Sequence, residues 1–171
     1  MKKSSPTGFT LVELMIAMTV GVLVIGLTME SFINLYKSMC SGWAYCTIHQ
    51  DARSSLDWMS RDMRASTGVV AWISNDITVV SLDSTGGTAN IRYMLNSNQL
   101  LRIYTLGSTS TNKLTHNTVA LTFQLYNKAG GLTTTPANTY EIRTYMQISN
   151  VSSYQTVGDL LQTRIRMRNK P

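Results

Sequence analysis

An apolar run from Phe9 to Met29, FTLVELMIAMTVGVLVIGLTM, constrains this chain more than any other feature. About 20 apolar residues in a helix cross the hydrocarbon core of a bilayer, so the run predicts a membrane-spanning helix. Its single charged residue is Glu13. Since a carboxylate in the hydrocarbon core costs about 2.5 to 3.5 kcal/mol on insertion scales, we expect Glu13 to have a partner or a task. No basic residue lies between Phe9 and Glu30, so a cationic partner must come from elsewhere.

A short basic segment, MKKSSPTG, precedes the apolar run and ends at Gly8. An ordinary secretory signal has 7 to 15 apolar residues and a small-residue cleavage site after them, whereas here the run is longer and the glycine comes first. Lys2 and Lys3, with no further basic residue before Lys37, predict a cytoplasmic amino terminus and an external remainder. A plain signal anchor, with Glu13 snorkelling towards the cytoplasmic interface, is the alternative interpretation.

The segment G-F-T-L-V-E, from Gly8 to Glu13, resembles the class III signal of type IV pilins and type II secretion pseudopilins. The resemblance implies that prepilin peptidase cleaves between Gly8 and Phe9 and methylates the new amino terminus at Phe9. It also implies that the amine of Phe9 pairs with the glutamate of a neighbouring subunit, which assigns an assembly role to Glu13. Cleavage would thus supply the cation that the apolar run lacks.

A second periodic segment predicts that the helix continues beyond the membrane. Between residues 48 and 67 the apolar side chains recur at helical spacing, on one stripe formed by Ile48, Ala52, Leu56, Met59 and Met63. The opposite side is charged and is most simply a solvated face: Asp51, Arg53, Asp57, Arg61 and Arg64. A helix from about Phe9 to Ser66, with a weak point at Gly42, would be on the order of 85 Å long.

After Gly68 the period changes to that of β-strands. Short segments rich in β-branched residues and tyrosine predict one antiparallel sheet of six or seven strands, at 69–73, 77–82, 89–95, 99–105, 118–126, 140–148 and 160–167. The clearest hairpin is IRYMLNSNQLLRIY, which turns around Asn96 to Asn98. Two long polar connections, Gly107 to Asn117 and Asn127 to Thr139, are expected to be exposed and to offer partner-specific surface.

These patterns together predict an α+β fold, in which a long amino-terminal helix packs on a carboxy-terminal antiparallel β head. The expected organisation is a leader over residues 1–8, a transmembrane assembly helix over 9–36, an amphipathic continuation over 37–67 and the head over 68–171. The chain has 171 residues and a formal charge of +6, which falls to +4 once Lys2 and Lys3 leave with the leader. This excess does not by itself indicate nucleic-acid binding.

No catalytic or metal motif is recognisable, so we expect neither an enzyme nor a cofactor. His49 and His116 are isolated from any ligand cluster, and Asp57 and Asp62 point in different directions on the helix. Cys40 and Cys46 are expected to be small buried or packing thiols; a disulfide bridge is the alternative and would require the helix to break at Ser41 and Gly42. Four aromatic residues are expected in the core and at its seams: Trp58, Trp72, Tyr93 and Tyr104.

Near the carboxy terminus, basic and apolar residues alternate. In a strand, the four cations would project from one face: Arg164, Arg166, Arg168 and Lys170. The simplest interpretation is an edge strand protected by charge against sheet-to-sheet aggregation. The alternative is a basic stripe that contacts DNA, an anionic surface or an acidic sister pilin.

Further segments refine the resemblance. The helix end DARSSLDWMSRDMRAS, the hairpin YMLNSNQLLRIY and the ending LLQTRIRMRN are similar to stretches of W-type minor pilins (PilW), and the first two also to J-type minor pseudopilins (GspJ). Residue 30 is glutamate, where many major pilins carry proline, which favours a minor component. The resemblance implies a non-enzymatic minor pilin that initiates or primes a type IV pilus. The alternatives are a minor pseudopilin of type II secretion and a filament-borne adhesive or DNA-binding module.

The implied partners are prepilin peptidase, other pilin or pseudopilin subunits in a hetero-oligomeric filament, and the inner membrane. Nucleic acid is kept as an alternative partner through the basic stripe. The implied location is a single pass of the inner membrane with a periplasmic head, followed after assembly by a pilus or pseudopilus that can reach the cell surface.

Overall fold

The computed structural model describes residues 8–82, 86–151 and 156–168, and for residues 151 and 157 only the backbone. The chain forms two compact units, Met1–Cys40 and Ser41–Pro171. One helix, α1, runs from Leu11 to Ala65 and continues through Gly42, so the weak point predicted there is not a break. The predicted α+β architecture, a long helix followed by antiparallel sheets, is confirmed.

In the first unit, the apolar side chains of α1 are uncovered. Leu11 is 76% exposed, Leu23 66% and Phe32 69%, and their neighbours around the helix are similarly bare. Within the described residues, α1 contains the one span long and apolar enough to cross a membrane, and none of that 18-residue window is buried inside the protein. A bare apolar surface of this extent requires cover from lipid or from other helices.

In the second unit, the predicted apolar stripe of α1 is confirmed as the face that packs on the head. Ile48, Ala52, Met59 and Met63 are at most 1% exposed, and Leu56 is 9% exposed. The predicted solvated face is confirmed for Arg53, Asp57, Arg61 and Arg64, all of which are exposed. The helical period therefore reports the burial of this segment correctly.

The strands form two antiparallel sheets within the described residues. One has the order β1-β2-β3-β4-β5 and the other β7-β6-β8-β9. Their bounds are as follows: β1 Ser66–Ile73, β2 Asp76–Leu82, β3 Thr88–Asn96, β4 Gln99–Leu106, β5 Ser108–Thr115, β6 Thr118–Tyr126, β7 Leu132–Thr133, β8 Glu141–Val151 and β9 Thr156–Arg166.

The expectation of a single sheet with six or seven strands is wrong, since the described residues form two sheets with nine strands. The segment Gly107 to Asn117, expected as a connection, contains β5, and the segment Asn127 to Thr139 contains the short β7 and a 3-10 turn at Pro136–Asn138. Strand β5, STSTNKLT, lacks apolar alternation because most of it is exposed at a sheet edge. A strand without a buried face gives no period-2 signal, so the pattern could not reveal it.

The predicted hairpin is confirmed as β3–β4, with Asn96 opposite Gln99. Its two turn residues, Ser97 and Asn98, have φ of 47° and 63°. Positive φ at both central residues is typical of a type I′ turn, whose twist matches that of the flanking strands. This turn fixes the register of the hairpin and so places the Tyr93 side chain in the core.

The core lies between α1 and the two sheets. Tyr93 from the first sheet and Phe123 from the second are fully buried in it. The indole of Trp72 on β1 donates a hydrogen bond to the Phe123 carbonyl at 3.1 Å, and the Phe123 amide donates to the Ser74 carbonyl at 2.7 Å. These two bonds join the sheets through backbone groups that would otherwise be unsatisfied.

A buried polar cluster fastens α1 to the first sheet. The carboxylate of Asp62, which is 8% exposed, accepts hydrogen bonds from the Tyr93 hydroxyl at 2.5 Å and from Arg102 Nε at 2.7 Å. The pKa of Tyr93 is raised well above its ordinary value, mainly because the side chain is buried and secondly because its hydroxyl donates a hydrogen bond to Asp62. The hydroxyl therefore stays protonated and serves as a permanent donor.

Replacing Asp62 tests this fastening. In Asp62→Ala, we expect the free energy of unfolding to fall by about 3 to 5 kcal/mol, because Arg102 and the Tyr93 hydroxyl lose their buried partner. Urea unfolding of the full chain in detergent micelles, followed by tryptophan fluorescence, measures the change. Asp57→Ala, at an exposed position on the same helix, is the control and should change stability by less than about 0.5 kcal/mol. Equal effects of the two variants would contradict the role of Asp62.

Candidate functional site

The amino-terminal site is built around the first turn of α1. Thr10 precedes the helix, which begins at Leu11. The Glu13 amide donates to Thr10 Oγ1 at 3.3 Å, and Glu13 Oε2 accepts hydrogen bonds from the Thr10 amide and from Thr10 Oγ1, both at 3.0 Å. This is a capping box, in which two helix-terminal amides and two side chains satisfy one another. The sequence T-x-x-E signals it, but the sequence reasoning did not use this signal.

The capping box orients the carboxylate of Glu13 without neutralising it. Both hydrogen bonds reach Oε2, and among the described residues Oε1 accepts none. Likewise, no cation in the described part of the chain lies within ion-pair distance of Glu13. The helix amino terminus favours an anion at this position, and one carboxylate oxygen remains open to a partner.

The predicted cleavage positions are open. A Cβ atom added at Gly8 would have no atom within 4 Å, and Phe9 is 88% exposed. Packing within the described chain therefore does not require glycine at position 8.

Comparison with known protein families addresses the same segment. Residues 3–29 match the family model described as the prokaryotic N-terminal methylation motif. This match supports a type IV pilin-like protein. The motif is typical of structural rather than catalytic proteins, and it implies processing by prepilin peptidase and assembly with other pilin subunits. A pilin-type motif on a bare apolar helix also fits membrane anchoring.

The match ends at residue 29, so the β head lies outside it. No curated protein matches the chain. The W-type and J-type assignments therefore stay predictions.

The basic stripe lies at the free edge of the second sheet, on and just after β9. Ile165 and Met167 are buried, while Arg164, Arg166 and Arg168 are exposed, as the alternation predicted. Lys170 lies outside the described residues. The edge position agrees with a charged strand that discourages pairing with other sheets.

The sequence reasoning missed the partner of these cations. Glu141 on β8 lies opposite Arg166, and its carboxylate is only 6% exposed. It contacts Arg164 Nε at 2.6 Å, Arg143 Nε at 3.0 Å and Arg166 Nε at 3.3 Å. Burial disfavours ionisation of Glu141, but the three guanidiniums outweigh it and hold the pKa of Glu141 below its ordinary value of 4.5. Glu141 and Arg143 lie two residues apart on β8, and Arg164 and Arg166 lie two residues apart on β9. The strand register places Glu141 opposite Arg166 and Arg143 opposite Arg164, and the sequence pattern does not show this pairing.

The aromatic residues occupy the expected core and seam positions. Tyr93 is buried, and Trp72 and Tyr104 are partly buried and pack against the core. Trp58 is 42% exposed, and the guanidiniums of Arg61 and Arg102 each lie over its ring at 5.3 Å from the centroid. Cation–π contacts of this kind fix exposed aromatic side chains at a seam.

One of the two histidines contacts an acidic residue of β9. His49 Nε2 lies 3.3 Å from an Asp159 carboxylate oxygen, and within the described ranges no group of three metal-binding side chains is found. Cys40 and Cys46 are free thiols. Because Cys46 is exposed and Cys40 only half-buried, the expectation of buried packing is wrong for Cys46.

The cluster around Glu141 predicts a pH-dependent stability. Because folding lowers the pKa of Glu141, its contribution is present above about pH 4.5 and is lost as the pH falls through the folded value. In Glu141→Gln, we expect a loss of about 1.5 to 3 kcal/mol at pH 7, since charged hydrogen bonds disappear, and a smaller difference from the wild type at pH 3. Urea unfolding at both pH values measures it.

The control for this experiment is Asp51→Asn, which neutralises a half-buried carboxylate that forms no ion pair within the described residues. It should leave stability nearly unchanged at both pH values. A Glu141→Gln effect that is the same at pH 7 and pH 3 would show that ionisation of Glu141 does not stabilise the head.

Proposed function

We propose that this chain is a minor pilin, a non-enzymatic subunit that helps initiate or assemble a type IV pilus. The observation that carries the proposal is the capped helix terminus, where Glu13 presents an unpaired carboxylate at the start of a bare apolar helix. The match of residues 3–29 to the methylation motif supports it. The similarity of the helix end and the hairpin to W-type minor pilins favours the minor role.

Maturation would create the missing cation. Prepilin peptidase would hydrolyse the bond between the Gly8 carbonyl carbon and the Phe9 nitrogen, so that Gly8 leaves as a carboxylate with the leader and Phe9 keeps a protonated amine. The same enzyme would then transfer a methyl group from a sulfonium-type methyl donor to the deprotonated amine, which takes up a proton again afterwards. A methylated amine retains its positive charge and remains able to pair with a carboxylate.

Assembly would then be guided by electrostatics in a medium of low dielectric constant. An unpaired carboxylate and an unpaired ammonium are each costly among lipid chains, and their attraction is stronger there than in water. Pairing the amine of Phe9 on one subunit with Glu13 on a neighbour would remove both costs at once. The open Oε1 of Glu13 suits this pairing, because Thr10 occupies Oε2.

The proposed topology follows from charge. Lys2 and Lys3 would keep the amino terminus in the cytoplasm, α1 would cross the inner membrane with its first part, and the head would be periplasmic. The proposed functional divisions are the leader 1–8, the transmembrane assembly helix 9–36, the amphipathic continuation 37–67 and the head 68–171. After extraction from the membrane, the bare apolar surface of α1 would be covered by the helices of other subunits.

A second candidate within the same class is a minor pseudopilin of type II secretion. The segment DARSSLDWMSRDMRAS favours it equally, because it is similar to J-type pseudopilins as well as to W-type pilins. Chromosomal neighbours that encode other short proteins with a G-F-T-L-x-E start would distinguish the two systems.

Substitutions at Gly8 test the cleavage site. We expect Gly8→Asp to retain residues 1–8 on most molecules and Gly8→Ala to be processed more extensively, because a larger charged side chain is excluded more strongly from a site that accepts glycine. Intact-mass spectrometry of the membrane-extracted protein measures the uncleaved fraction. Neither change should alter the fold, since the space around Gly8 is open. Normal cleavage of Gly8→Asp would count against the assigned bond.

Substitution of Glu13 tests the assembly role. Glu13→Val should insert into the membrane at least as well as the wild type, because a desolvated charge is removed, but should enter filaments at a level reduced by about ten-fold or more. Quantitative immunoblots of membranes and of sheared filaments from the native cells measure both. The control is Glu30→Val, which makes the same change at the other glutamate of the first unit. This variant should enter filaments normally. Unimpaired incorporation of Glu13→Val would refute the role of this carboxylate.

A further inference from the structure

Arginines from two distant parts of the chain meet at one surface of the head. A cleft of about 480 Å³ is lined by Arg64, Arg164, Arg166 and Arg168, which we call the arginine cleft. Arg64 lies in the last turn of α1, and the other three lie on or just after β9. The Arg168 amide donates a hydrogen bond to the Arg64 carbonyl at 3.2 Å, which fixes the two segments side by side.

The cations of the arginine cleft outnumber the nearby carboxylates. Guanidinium groups stay charged at any physiological pH, so these side chains cannot relieve their repulsion by losing a proton. Glu141 neutralises part of the cluster, but Arg143, Arg164 and Arg166 share that single carboxylate. Within the described residues, no carboxylate forms an ion pair with Arg64 or Arg168. Among the residues that the structure describes, the positive charge at this end of the cleft is therefore uncompensated.

A structural role can be given to each arginine of the cleft separately, but these roles do not explain why the arginines lie together. Charged side chains on β9 protect an edge strand, and Arg64 complements the dipole at the carboxy-terminal end of α1. Neither role requires Arg168 to lie beside Arg64. A second cleft of about 650 Å³ extends the positive surface along α1 and shares Arg64 and Arg168 with the first. It adds Arg61, and of its lining residues that the structure describes only Asp57 is acidic.

We propose that the arginine cleft binds an acidic segment of a neighbouring pilin-type subunit, with Arg64 and Arg168 as the main contacts for its carboxylates. This inference rests on the proposed filament role and names the kind of partner surface that the head would meet. Guanidinium groups bind carboxylates through paired, charge-assisted hydrogen bonds. The cluster already holds one carboxylate, that of Glu141, through single Nε contacts, the shortest at 2.6 Å from Arg164.

Carboxylates suit the site better than nucleic acid does. Single-stranded nucleic acid is usually held by a basic groove together with aromatic rings on which bases stack. Among the described residues that line the two clefts, none is aromatic. Trp58, which is next to Asp57 in sequence, has its ring covered by the guanidiniums of Arg61 and Arg102. The moderate net charge of the chain also provides no strong general attraction for a polyanion.

Binding of defined probes to the purified full chain in detergent micelles tests the proposal. The probes are a fluorescein-labelled polyglutamate peptide and a labelled single-stranded oligodeoxynucleotide of the same charge, and the readout is fluorescence anisotropy. We expect the peptide to bind more tightly than the oligonucleotide. Arg64→Glu combined with Arg168→Glu should weaken peptide binding by at least about ten-fold, because the two cations proposed to contact the carboxylates become anions.

The matched control is Lys113→Glu combined with Lys128→Glu. It changes the net charge equally at two exposed positions that do not line the clefts, so peptide affinity should stay within about two-fold of the wild type. Unfolding midpoints of both double variants show whether the head remains folded. If the glutamate variant unfolds, Arg64→Gln combined with Arg168→Gln takes its place and should still weaken binding.

Three results would overturn the proposal: no measurable peptide binding, equal loss in the test and control variants, or tighter arginine-dependent binding of the oligonucleotide. The last would assign the cleft to nucleic acid. The assay uses purified protein and is independent of filament assembly. A failure of the Gly8 and Glu13 experiments with retained arginine-dependent peptide binding would therefore refute the filament role and leave the carboxylate site standing.

Discussion

The lone carboxylate at the start of a bare apolar helix is the constraint on which the rest depends. Glu13 is held by a capping box through one oxygen and is left without a cation by the described chain. The apolar side chains that follow it have no cover within the protein. A segment with an unpaired carboxylate and an uncovered apolar surface is suited to lipid and to contact with other helices that carry a positive terminus. The methylation motif over residues 3–29 agrees with this requirement.

The head, in contrast, buries one face of the second part of α1. The stripe from Ile48 to Met63 provides the apolar contact, and the Asp62, Tyr93 and Arg102 cluster provides a polar one. The polar cluster adds specificity, because only one rotation of the helix places Asp62 beside both partners. The Trp72 and Phe123 bond then links the two sheets. Beyond this core, where α1 ends next to the segment that follows β9, lie arginines that have no ion-pair partner among the described residues.

Much of this architecture could be predicted from the sequence. Periodicity located α1 and its buried stripe, and the Asn96 to Asn98 turn located the β3–β4 hairpin. The prediction failed at β5, where a polar edge strand shows no alternation. It also failed to divide the strands into two sheets, because sheet membership depends on pairing between segments far apart in sequence. At the candidate sites, Gly8, Phe9 and Glu13 are predicted from their order alone, whereas the partner of the basic stripe could not be predicted in this way.

The sequence by itself determined the local features, namely the apolar helix, its stranded carboxylate and the alternation of Arg164, Ile165 and Arg166. These follow from spacing along the chain, since helix and strand periods are set by backbone geometry. Only the tertiary structure decided which charges meet. Glu141 is about twenty residues from Arg164, and Arg64 is about a hundred residues from Arg168, so no local pattern joins them. Strand register and the end of α1 bring these groups together, and distance in space then sets their electrostatics.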